Sequence, residues 1–195
     1  MERTGLQRCH VRQQLAGPPF TTTLGVMTNH VAVSEPDVLL ATTLFLMERG
    51  ATPYQFSVAA GRGIDTGAML GRLRNAFKSA GFSGNGADIL AVSETEWWAI
   101  ECKGSGVGKP QTQRNNFDRA LASVVSYFEN KPQGLPPEYA SVRTHLGLAL
   151  PATEAYLREL RRRVRRPLRE RLNLWVLLYD AGSKSIRPVA PHENI

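Results

Sequence analysis

Apolar and polar positions along this chain fall into two alternating rhythms, and the places where one gives way to the other mark the elements. Ser34-Glu35-Pro36-Asp37 precedes an apolar run from Val38 to Met47. A capping serine, a first-turn proline and two early acids predict a helix to about Arg49, stopped by Gly50. Tyr54 to Ala60 alternates with period two and reads as a strand closed by Gly61-Arg62-Gly63. Met69 to Ala80 has helical spacing, with Asp65 or Thr66 as cap and Gly81 as stop. Ala87–Val92 and Trp97–Lys103 are apolar strands on either side of the polar turn Ser93–Glu96, so they should pair as an antiparallel hairpin. After the glycine-rich loop Gly104–Pro110, Gln111 to Glu129 shows a helical stripe of Phe117, Leu121, Val124 and Phe128.

Lys131 to Pro137 reads as a loop and Thr144 to Leu150 as a strand stopped by Pro151. Thr153 to Arg171 reads as a helix striped by Leu157, Leu160, Val164 and Leu168, which Pro167 should bend or break. Leu174 to Tyr179 is a last strand, apolar enough to be buried on both faces. The order of elements predicts an α/β domain over residues 31 to 195, with a mixed central sheet flanked by helices. Residues 1 to 30 keep no period and read as a poorly ordered arm.

Composition narrows the class. Forty-two per cent of the residues are apolar and 21% charged, as in ordinary globular domains. No run is long enough for a membrane span, and no secretory signal is evident. Cys9 and Cys102 cannot build a disulfide framework, so a reduced, cytoplasmic setting fits. His10, His30, His145 and His192 lack the spacing of a zinc site. The net charge of +7 is compatible with a polyanionic partner, nucleic acid above all.

The chemistry concentrates in the hairpin. Glu101 and Lys103 project from one face of an otherwise apolar strand, where ionisable residues are rarely placed unless paired or coordinating. Asp88, on the preceding strand, can lie beside Glu101 across the hairpin. Two carboxylates so close repel unless a cation separates them, and oxygen ligands suit Mg²⁺. With an adjacent ammonium, such a site suits attack on a phosphodiester. The competing interpretation is a Glu-Lys ion pair with no further role.

Gly86-Ala87-Asp88-Ile89-Leu90 and Trp98-Ala99-Ile100-Glu101-Cys102-Lys103-Gly104 resemble the motif of the PD-(D/E)XK nuclease superfamily, the restriction-endonuclease-like fold, with Ala87 in place of the proline. The family core, a helix, three antiparallel strands, a helix and a further strand, is similar to the order read over residues 36 to 150. The resemblance implies a deoxyribonuclease in which Asp88, Glu101 and the Cys102 carbonyl bind Mg²⁺ (or Mn²⁺) and Lys103 is catalytic. Members often add an acid from the first helix, for which Glu48 is the candidate, and a polar residue from the helix after the motif, for which Gln113 is.

Lys109, Arg114, Arg162 and Arg166 are candidate phosphate contacts; a solvated face partly neutralised by Glu154, Glu159 and Glu170 explains the arginine-rich helix almost as well. Gly104 to Lys109 fails as a phosphate-binding P-loop, because Pro110 stands where Ser or Thr is required. DNA is the expected substrate, with RNA, a homodimer or a partner subunit left open. A non-catalytic nucleic-acid-binding or assembly module on the same fold is the alternative.

Overall fold

The computed structural model describes residues 32–57, 66–83, 85–105, 110–128 and 142–195. The expected arm, Lys109 and the 131–137 loop lie outside them. Among these residues seven strands form one mixed sheet in the order β2-β1-β3-β4-β5-β6-β7. They are β1 Thr52–Ser57, β2 Gly81–Ser83, β3 Ile89–Val92, β4 Glu96–Cys102, β5 Arg143–Pro151, β6 Leu174–Asp180 and β7 Ser185–Val189. β3 and β4 form the expected antiparallel hairpin, whereas β4, β5 and β6 run parallel.

Helices α1 (Glu35–Glu48) and α2 (Thr66–Ala76) cover one face of the sheet. Helices α3 (Pro110–Ser126), α4 (Glu154–Arg163) and α5 (Arg166–Leu172) cover the other. Strand alternation splits the core accordingly. Trp97, Ala99, Leu146 and Leu148 pack under Phe117, Val124, Tyr156 and Leu160. Ile89, Trp98, Ile100 and Leu177 pack under Val38, Leu39 and Leu46. Both tryptophans of β4 are fully buried, so neither offers a stacking surface for bases. No helix among the described residues is long and apolar enough to cross a membrane.

Local chemistry sets most boundaries. Ser34 Oγ accepts the Asp37 N–H at 3.2 Å and starts α1, while Gly50 leaves it at φ +82°. Pro167 divides the expected long helix. It occupies the first turn of α5, where a missing N–H costs nothing, and α4 ends before it. The break resets the helical phase, so Leu168 is exposed and Arg169 is buried in its place. The Arg169 guanidinium donates to Ala190 O at 2.8 Å and to Glu193 O, tying the last residues to α5.

α2 ends at Ala76 rather than Ala80, and the chain turns there into β2, a strand too short to show a period. β7 also lacks an apolar signature. It is an edge strand holding Arg187 and Pro188, where an absent N–H is tolerated.

Candidate functional site

At the end of the hairpin the sheet register decides the geometry. Ile89 pairs with Ile100, so Asp88 stands one position further along, across from Glu101 and on the same face. Glu101 is 7% exposed. The Lys103 ammonium lies 3.0 Å from Glu101 Oε1, 3.6 Å from Asp88 Oδ2 and 3.7 Å from Glu35 Oε2. It also donates to the Cys102 carbonyl at 2.7 Å. Asp88 Oδ2 accepts the Cys102 N–H at 2.7 Å, which anchors that carboxylate to β4.

The structure therefore brings Asp88, Glu101, Lys103 and the Cys102 carbonyl together. It does not bring in Glu48, which is exposed at the far end of α1, about 20 Å along the axis from the cluster at 1.5 Å per residue. The first-helix acid at the site is Glu35, one residue after the cap. Sequence reasoning placed Glu35 as a dipole-facing residue and missed its second partner, because that contact comes from a chain crossing. Val33 N–H donates to Ser105 Oγ at 2.6 Å, and Ser105 N–H donates to Val33 O at 2.9 Å. These bonds lay the entry to α1 against the exit from β4. Gly104 permits it: a Cβ there would lie 2.6 Å from both Glu35 N and Val33 O.

Two tyrosines complete the surroundings, and neither carried a sequence signal, because each arrives from a helix packed over the sheet. Tyr127, just past α3, donates to Glu101 Oε2 at 3.0 Å, leaving Oε1 to face Lys103. Tyr156 of α4 donates to Gly104 O at 2.8 Å. Replacing Tyr127 by Phe removes the only tyrosine donor to Glu101 among the described residues. Outer partners of this kind typically matter about 10-fold for metal affinity or activity. On a metal-binding reading of the cluster, Tyr127→Phe should weaken Mn²⁺ binding by about that factor, measured by isothermal titration, with the melting temperature little changed.

Three carboxylates around one ammonium leave two negative charges uncompensated when all are ionised. The titration behaviour reflects that excess. Burial, and the nearby Glu101 and Glu35 charges, raise Asp88 from its ordinary 3.8 to about 7 against the pull of Lys103. Glu35 is raised as well, mainly by burial. Burial alone would depress Lys103, but Asp88, Glu101 and Glu35 outweigh it and hold the ammonium above its ordinary value. Burial pushes the Cys102 thiol up, so its sulfur stays protonated, and Cys102 meets the cluster through its backbone N–H and carbonyl.

A raised Asp88 fixes a sign. The folded state holds this proton more tightly than the unfolded chain, so the group's contribution to stability is complete below pH 4. It is lost as pH rises to about 7. Thermal melts in EDTA should show Asp88→Asn gaining on the wild type between pH 5 and pH 8. Equal differences at both pH values would show that Asp88 is not the source.

The remaining candidates lie away from the carboxylates. Gln113 and Arg114 line a shallow cleft between α3 and α4 with Ala155, Tyr156, Arg158 and Glu159. Arg162 is paired with the buried Glu159 at 2.8 Å, and Arg166 with Glu170 at 2.7 Å. These pairs fit the solvated-face interpretation of both arginines. On the opposite face His145 is stacked on Trp98 and accepts from Trp175 Nε1 at 2.9 Å, a core histidine rather than a ligand.

Among the described residues no three His, Cys, Asp or Glu side chains form a group arranged to hold a metal ion, and the Lys103 ammonium sits against Asp88 and Glu101. No family model matches the sequence, and comparison with curated proteins and with solved structures also yields no match.

Proposed function

We propose that this chain is a metal-dependent nuclease of the restriction-endonuclease-like kind, hydrolysing phosphodiester bonds in DNA. One observation carries the reading. Asp88 Oδ2, Glu101 Oε1 and the Cys102 carbonyl, three hard oxygen donors, all face a single cationic centre, the Lys103 ammonium. A position that already holds a positive charge, with two negative charges unmatched once all three acids are ionised, fits Mg²⁺ or Mn²⁺ held by those oxygens, with Glu35 close by. The strand order supports the same reading: α1, β1, β3, β4, α3 and β5 follow the helix, three antiparallel strands, helix and strand of that fold. The free, buried Cys102 suits a reducing, cytoplasmic setting.

A bound divalent ion would supply charge neutralisation at the scissile phosphate and acidify an attacking water. The chain supplies the rest. Tyr127 fixes the rotamer of Glu101, and the Cys102 N–H fixes Asp88. Lys103, anchored between β4 and α1, presents a permanent positive charge that can orient the nucleophile or stabilise developing negative charge. The test is cleavage of linear, circular and branched DNA with Mg²⁺ and with EDTA, with Lys103→Ala as control. Cleavage that survives EDTA or the substitution would overturn the proposal. DNA binding unaffected by EDTA, with no cleavage under any condition, would establish the non-catalytic module instead.

A further inference from the structure

The cleft between α3 and α4 brings two arginines without an ion pair together on facing walls. Most arginines of α4 and α5 are already neutralised: Arg161 by Glu154, Arg162 and Arg163 by Glu159, Arg163 also by Asp118, and Arg166 by Glu170. Among the described residues Arg114 and Arg158 have no carboxylate within ion-pair distance, and both line the cleft. Its one acid, Glu159, is 5% exposed and committed to Arg162 at 2.8 Å. Gln113 adds an amide donor. The floor is Tyr156, whose ring spans from the cleft to Gly104, the residue after Lys103.

We propose that this cleft is a phosphodiester subsite. Arg114 and Arg158 grip a backbone phosphate of the same nucleic-acid strand whose neighbouring linkage lies at the Asp88-Glu101-Lys103 cluster. The inference rests on the nuclease reading and deepens it by placing the path of the substrate. Two forked donors on opposite walls suit the oxygens of one phosphate, and the neutralised Glu159 does not oppose it. Tyr156 links the subsite mechanically to the chain segment carrying Lys103.

The experiment is fluorescence anisotropy of a labelled DNA duplex with the full chain in EDTA, over a range of salt concentrations. It compares wild type, Arg114→Ala/Arg158→Ala, and the control Arg166→Ala/Arg171→Ala, which loses the same charge from α5. Each lost phosphate contact lowers the log–log salt slope by about 1. The cleft variant, whose two arginines serve one phosphate, should lose about 1 and bind more weakly, and the control should stay close to wild type. All four substituted positions, Arg114, Arg158, Arg166 and Arg171, are exposed, and matching melting temperatures will confirm that the variants fold. An unchanged slope in the cleft variant, or an equal loss in the control, overturns the subsite and leaves the nuclease reading standing if wild type still cuts. Wild type that neither binds nor cuts DNA overturns both.

Discussion

On the proposed nuclease reading, Asp88→Asn and Glu101→Gln should each lower Mg²⁺-dependent DNA cleavage by roughly 10²–10³-fold, and Lys103→Ala should do at least as much. The first two keep the volume of the side chain and remove only charge, so the loss reports on the cation position rather than on packing. The three act on one centre, with Lys103 in contact with both carboxylates. Double variants should therefore fall no further than the worst single one, well short of the product of the separate losses. Single-turnover cleavage rates at saturating Mg²⁺ measure this directly; multiplicative losses would mean that the groups work independently.

Lys103→Ala has a second signature without any substrate. In the metal-free protein it leaves Asp88, Glu101 and Glu35 facing one another with no ammonium between them. Removing one partner of a buried charge cluster costs about 3 kcal/mol. At pH 5 the loss should be smaller, because Asp88, raised to about 7, can then take up a proton. Mg²⁺ or Mn²⁺ should restore much of the melting temperature of this variant. In the wild type the ion must compete with the resident ammonium, so the gain should be smaller. A variant whose stability ignores both pH and metal would count against a shared cation position.

Gly104→Ala is expected to damage stability and activity together. The new Cβ would meet Glu35 N and Val33 O at 2.6 Å and Ser34 C at 2.9 Å. All three are backbone atoms, so no side chain can swing aside. Overpacking of this kind costs about 1–3 kcal/mol. The relief available is to move the α1 entry off the β4 exit, which breaks the Val33–Ser105 bonds and withdraws Glu35 from Lys103. Gly71→Ala is the matched control. Nothing lies within 4 Å of a Cβ there, and it sits inside α2. Alanine in a helix interior should stabilise by up to about 1 kcal/mol, with cleavage unchanged. Differential scanning calorimetry and cleavage rates on the two variants separate the close approach at Gly104 from a general effect of removing glycine.

The chain's own pattern was enough to determine the hairpin and part of its cargo. Strand alternation in Trp97–Lys103 assigns Glu101 and Lys103 to one face, a local property of the backbone, whereas the side on which Asp88 falls depends on the hairpin register, which the pairing of Ile89 with Ile100 fixes. Capping at Ser34 and the proline break at Pro167 are equally local. Three other features were decided only by tertiary structure. The acid from α1 is Glu35 and not Glu48, because the Val33–Ser105 crossing brings the start of the helix to the site. Tyr127 and Tyr156 reach Glu101 and Gly104 from helices whose placement depends on packing over the sheet. That Arg114 and Arg158 have no ion pair among the described residues depends on which carboxylates their neighbours have already taken. Periodicity records which way a side chain faces along its own element. It holds no information on which distant element will be laid against that face, and the full coordination of Lys103 is a contact of that second kind.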